Sequence, residues 1–231
     1  MDFKVAFKKY ETLVKASDKI FEQMKTDYPD CVKCTEGCSD CCHALFDIGL
    51  IEAIYINQKF REKYQGVPLE KFLEKVNKID RQIYKLKRKA NKEQKDGKDE
   101  EQILSEMAEV RVRCPLLNDS DRCDLYEFRP ITCRVYGIPT AIGGHGHTCG
   151  LSGFEKGKNY PTVNMDVFHK ALLNISQELV LSIGSKYYGL PEMLVPLSMA
   201  LLTIYDEEYL GVSEGEESDE LPENKEKDAG K

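Results

Sequence analysis

The chain has 231 residues, 41% hydrophobic and 32% charged, with nine cysteines and a formal net charge of −7. That is enough apolar material for one domain with its own core, so the composition excludes a short finger that folds only around its metal. The odd cysteine count, and a Met1-Asp2-Phe3-Lys4 start with no apolar leader after it, argue against a secreted disulfide framework and predict a cytoplasmic chain with reduced thiols.

Taken in order, Phe3, Phe7, Tyr10, Val14, Phe21 and Met24 recur at spacings near three and four and predict a helix over 2–28, stopped by Pro29. Five cysteines follow at once: Cys31, Cys34, Cys38, Cys41 and Cys42. A second helix is expected over 47–64, with Leu50, Ile51, Ile54, Tyr55 and Phe60 inward. Pro68 suits the first turn of a third. There Phe72, Val76, Ile79, Ile83, Leu86 and Ala90 form a seam that packs along a neighbour, as in an antiparallel hairpin. Residues 71–98 carry eleven Lys and Arg against four acids. No stacking platform or nucleic-acid motif accompanies them, so the basic face reads as the solvated side of an amphipathic helix and nucleic acid is not an expected partner. A polar break at 95–98 precedes a shorter helix over 99–111.

Residues 114–163 keep no period and are rich in Gly, Pro, Asn and Asp. A loop of this length inside a compact domain requires an ordering agent, and Cys114, Cys123, Cys133 and Cys149 lie in it. Beyond it, Phe168, Leu172, Ile175, Leu179 and Ile183 predict a helix that ends near Gly189. Residues 191–205 are apolar nearly all round and too short to span a bilayer; the expectation is a buried central helix. From Asp206 onward eleven acids face three lysines, a net −8 that leaves residues 1–205 near +1. Residues 212–231 therefore read as an acidic, disordered, solvating tail on a single domain of residues 1–211. With no repeat and no strand–helix alternation, the fold class expected is all-α: a helical domain whose long irregular cysteine-rich loop is ordered by metal.

The cysteines carry the chemistry. Neighbours in extended chain point to opposite sides, so Cys41 and Cys42 are awkward ligands for one ion and suit two ions or two corners of a polynuclear centre. Setting Cys31 aside leaves Cys34, Cys38, Cys41 and Cys42 with Cys114, Cys123, Cys133 and Cys149: four plus four thiolates, the count for one or two tetrahedral sulfur sites. Such centres carry negative charge that needs donors. Arg111 and Arg113 precede Cys114, Arg122 precedes Cys123 and Arg134 follows Cys133, which together read as charge compensation. The spacing Cys34-x3-Cys38-x2-Cys41 also occurs in radical S-adenosylmethionine enzymes. Their fold is built of strand–helix units, which this chain does not show. His145 and His147 read as loop or outer residues of the metal loop, His169 as structural, and His43 stays open.

The stretch Cys34-Thr35-Glu36-Gly37-Cys38-Ser39-Asp40-Cys41-Cys42, then Cys114-Pro115-Leu116-Leu117, then Cys123-x2-Tyr126-x2-Arg129-Pro130-x2-Cys133-Arg134, resembles the YkgJ-type cysteine-cluster family, described as zinc- or iron-chelating. The resemblance covers roughly residues 34 to 149 and implies eight ligand cysteines, with Cys31 outside the pattern. Flagellin lysine N-methylases share this type of motif. Within it Pro130 turns the chain between two ligands. Tyr126, Arg129 and Arg134 are the residues expected around the cofactor: Arg129 donates to cluster sulfur or to a substrate carboxylate, and Tyr126 donates to sulfur or packs. The reading is a metal-binding protein with an iron–sulfur centre, 4Fe-4S in type, favoured over zinc, in a redox or protein-modifying role. The alternatives are a methylase using S-adenosylmethionine and a structural zinc-binding interaction module. The metal, substrate, protein partner and oligomeric state are left open.

Overall fold

The computed structural model describes residues 1–212, so the expected acidic tail lies almost wholly outside the described residues. Helix α1 (Lys4–Asp27) buries Ala6, Tyr10, Ser17 and Met24, one stripe at spacings of four and seven, and ends just before Pro29. A three-residue strand, β1 (Asp47–Gly49), leads into α2 (Leu50–Lys63). Helix α3 (Gly66–Lys95) starts two residues before Pro68, which sits in the first turn where its missing N–H has no partner to lose. Helix α4 (Glu100–Glu109) follows the break and is capped by the Asp99 carboxylate, which accepts from Gln102 N at 3.1 Å.

The irregular region holds more structure than its composition suggests. A short helix, α5 (Ile131–Val135), begins at Pro130. Strand β2 (Thr140–Ile142) pairs antiparallel with β3 (His145–His147) and parallel with β4 (Val163–Asn164). Gly143 and Gly144 join β2 to β3, both with positive φ (56° and 81°), the backbone a tight hairpin of this hand requires. Helix α6 (Met165–Ser182) is capped by Asn164 and buries Phe168, Leu172, Ile175 and Leu179. The last elements are β5 (Leu194–Pro196), paired antiparallel with β1, then α7 (Leu197–Leu202) and α8 (Glu207–Leu210).

Two expectations are corrected. The fold is mostly helical but not strictly all-α, since its five short strands pair into two small sheets. Residues 191–205 are not one helix. Pro196 has no N–H to donate and disfavours helical backbone before it, so the segment divides into β5 and a six-residue helix. The central helix is α2 instead. Its Leu50, Ile51, Ile54 and Tyr55 face a core built with α1, α5 and α6, and its Ala53, Ile56 and Phe60 face a second core built with Val76, Leu116, Leu125, Leu197 and Leu201. Both sides of α2 are therefore covered, which is why its apolar residues run all round. The α3 seam buries only Val76 and Ile83 fully, against α7 and α4, and leaves the basic side out. No helix among the described residues is long and apolar enough to cross a membrane.

Candidate metal centre

Backbone pairing brings the two cysteine groups together. Cys41 and Cys42 sit in a single 3-10 turn, Asp40–His43. Residues 111–114 run beside it: Val112 N donates to His43 O at 2.9 Å and Cys114 N to Cys42 O at 2.7 Å. Leu117 N then turns back onto Cys114 O at 3.1 Å, and Leu117 bridges Cys123. Cys133 rides on α5, and Cys149 sits at a turn closed by Ser152 N on its carbonyl.

All eight expected cysteines, Cys34, Cys38, Cys41, Cys42, Cys114, Cys123, Cys133 and Cys149, line one cavity of about 510 Å³. Cys31 does not; it packs against the first core, and its carbonyl accepts from Gly153 N at 2.8 Å. Cys38 is the exposed thiol of the eight. Among the described residues no three His, Cys, Asp or Glu side chains close on a single ion-sized point: the thiols surround a space.

Burial pushes Cys34 up to about 11, with its neighbours Cys38, Cys149 and Cys41 adding to the rise. Burial likewise raises Cys114 to about 12, and Cys123, Cys133 and Cys149 as well. Cys41 moves the other way, to about 7, because the Cys42 thiol donates to it; Cys42 is raised for the same reason. Protonated thiols packed this closely favour whatever lets them all deprotonate at once, and a bound cation does that. The backbone is arranged for the thiolate form. The Leu151 amide donates to the Cys149 sulfur at 3.4 Å, and the backbone amides of Leu116 and Leu117 at Cys114 and of Leu125 at Cys123 offset part of the rise that burial causes there. Amides two or three residues past a cysteine stabilise negative charge on its sulfur. Gly137 adds a steric condition: a Cβ on it would lie 2.1 Å from the Cys34 sulfur. Donor set, amides and shape all fit a thiolate-bound metal.

The cation facing the sulfurs is Arg129. Its charge lowers Cys34, Cys41, Cys123 and Cys133 against their burial. Its guanidinium carbon lies 3.8 Å from the centre of the Tyr126 ring, and its buried Nε has no hydrogen-bond partner. Tyr126 is half exposed and stacks on this arginine from outside. The four arginines next to cysteines in sequence are committed elsewhere. Arg111 pairs with Asp40, Arg113 donates to Asn118 O at 2.7 Å, and Arg122 pairs with Glu36. Arg134, 5% exposed, holds Asp18 through two contacts of 2.8 Å and donates to the carbonyls of Glu127 and Arg129. Its guanidinium thus fixes the backbone from which Arg129 projects.

His43 Nδ1 lies 3.0 Å from Ser39 O; His145 and His147 are exposed on β3, away from the cavity, and His169 is exposed on α6. Sequence reasoning missed Glu52. This carboxylate, 3% exposed in the first turn of α2, accepts from Ile131 N at 2.9 Å and from Tyr10 Oη at 3.3 Å. It caps the helix that carries Cys133, and its only signal in sequence is an acid inside an apolar run. Asp40, against the Cys149 sulfur at 3.4 Å, was missed too.

Residues 33–150 match a protein family described as CxxCxxCC, "Putative zinc- or iron-chelating domain". No curated protein and no solved structure matches the chain.

Proposed function

The chain belongs to the CxxCxxCC family of zinc- or iron-chelating domains, and from that premise we propose that it is a metal-binding protein in which Cys34, Cys38, Cys41, Cys42, Cys114, Cys123, Cys133 and Cys149 hold iron–sulfur. The observation that carries the reading is the convergence of these eight thiols, spread from residue 34 to residue 149, on one cavity that leaves Cys31 out. A cavity of about 510 Å³ is far larger than a bare ion needs, which favours a polynuclear centre over closed zinc sites. Iron–sulfur supplies one-electron chemistry at a potential set by surrounding charge, sulfur hydrogen bonds and exposure.

The protein's own part is then definite. The Leu116, Leu117, Leu125 and Leu151 amides and the Arg129 guanidinium stabilise sulfur charge, Arg134 and Glu52 hold the loops that present it, and the exposed Cys38 forms the solvent-facing edge. An electron-transfer role suits that edge.

The test is anaerobic purification with iron, zinc and acid-labile sulfide measured per chain beside the visible spectrum. Iron with matching sulfide and a chromophore bleached by dithionite is expected. Colourless protein carrying zinc would sink the iron–sulfur reading and leave a structural chelating module. Methyl transfer from S-adenosylmethionine to a protein lysine by the same preparation would move the role from electron transfer to methylase.

A further inference from the structure

We propose that Glu52 is the proton acceptor of the centre: when the iron–sulfur takes up an electron, this carboxylate takes up a proton. The proposal rests on the iron–sulfur reading and names what regulates the potential of that same site.

Glu52 stands directly behind the cavity wall. Its Oε1 accepts from Ile131 N at 2.9 Å, and Ile131 lies between Pro130 and Cys133, both of which line the cavity. Ile56, one turn further along the same side of α2, lines it too. The bond from Tyr10 Oη also falls on Oε1, so a proton can sit on Oε2 without breaking either bond.

Glu52 is the only buried carboxylate among the described residues, and no ion pair there includes it. The titratable and charged groups around it are few. Helix α1 brings Tyr10, Asp18 and Glu11, α5 brings Arg134, α2 itself brings Tyr55, and α6 brings only the Ser176 hydroxyl. Arg134 gives two contacts of 2.8 Å to Asp18, and Glu11 takes the Tyr55 hydroxyl at 3.0 Å. Burial raises both phenols, so they stay neutral. A buried acid with hydrogen bonds but no counter-ion neutralises itself by holding a proton. Burial places that event near neutrality, at about 7.

An electron added behind the wall shifts this balance. The one-electron donor is oxidised, the centre is reduced by one, and Glu52 passes from carboxylate to carboxylic acid with a proton from water. Interior charge is then unchanged. The ionised carboxylate and the reduced centre repel, so reduction tightens the proton on Glu52, and ionised Glu52 makes reduction harder. The potential is therefore level while Glu52 is protonated in both redox states. It falls as pH rises from near 7 and levels again once Glu52 is ionised in both.

Redox titration of the anaerobically purified full-length protein across the neutral range tests this. A tenfold gain in proton affinity on reduction reads as a total fall of about 59 mV. Glu52→Gln keeps an acceptor for Ile131 N and cannot ionise, so its potential should stay flat through that window. Tyr10→Phe removes a bond to the ionised carboxylate and should keep the fall but move it to higher pH. A wild-type potential without the fall, or a fall that survives Glu52→Gln, would overturn the proposal. The infrared difference between reduced and oxidised wild type, labelled with carboxyl-13C glutamate, needs no variant. A protonated-carboxyl band that appears on reduction and shifts with the label is expected; its absence at neutral pH overturns proton uptake by Glu52. Protein without iron or a redox couple refutes the function and the proposal with it, whereas a couple that ignores pH refutes the proposal alone.

Discussion

Arg129 does at residue scale what four other arginines looked placed to do. Adjacency in sequence put Arg111, Arg113, Arg122 and Arg134 beside cysteines, but each finds a carboxylate or a carbonyl, because a guanidinium satisfies its donors with the nearest oxygen acceptors. On the proposed iron–sulfur reading, replacing Arg129 by Gln should lower the midpoint potential by tens of millivolts, where about 59 mV equals a tenfold change for one electron. Redox titration of the variant checks it, and an unchanged potential would show that Arg129 does not compensate sulfur charge. Glu52 gives a second prediction. Burial raises its carboxyl from 4.5 to about 7, against the hydrogen bonds it accepts from Ile131 N and Tyr10. The folded state then holds this proton more tightly than the unfolded chain. The stability it confers is full below pH 4.5, falls as pH rises towards 7 and stays lost above, a swing on the order of 3 kcal/mol. Glu52→Gln keeps an acceptor for Ile131 and cannot ionise, so the melting difference between variant and wild type should move in favour of the variant between pH 4.5 and 7. Curves that stay parallel across that window would exclude an ionising Glu52.

At the scale of elements, strong periodicity proved readable and short apolar runs did not. Helices α1, α3 and α4 lie within a few residues of where spacing put them, since one buried stripe on a long helix leaves an unambiguous 3.6-residue pattern, whereas α6 stops at Ser182, short of the expected end near Gly189. Segment 191–205 carries no such pattern, and its strand forms because β1 offers an edge to pair with. Helix α7 depends on side chains 143 or more positions earlier: the Asn57 amide donates to Ala200 O at 2.8 Å and to Thr203 O at 2.9 Å. Those are the carbonyls a helix end leaves without partners. Asn57→Ala should cost about 1–3 kcal/mol, measured as a lower urea midpoint. An unchanged midpoint would mean that α7 docks through its apolar contacts alone.

For the whole molecule, the helical cores and the cysteine loops draw on different sources of order. Around α2 the cores are closed by apolar burial on both sides, whereas the loops carrying the thiols are joined by few backbone bonds. Metal removal by a chelator should therefore free the amides of residues 34–44, 111–124 and 147–153 in hydrogen exchange, while α1, α2 and α6 keep their protection. Uniform loss across the chain would show that the cores need the metal too, and no loss anywhere would refute metal-ordered loops.

What the sequence determined by itself was the set of long helices, the grouping of eight cysteines apart from Cys31, and the family pattern that links them. The helices are carried by local spacing, which neighbouring residues alone fix, and the cysteine grouping by the ordered motifs the family shares. Tertiary structure decided the rest: that α2 is the helix covered on both sides, that Glu52 caps α5 from across the core, and that Arg129 faces the sulfurs. Each of these depends on which distant segments meet, and contact between distant segments is settled by burial and hydrogen-bond closure, which leave no periodic trace in the chain.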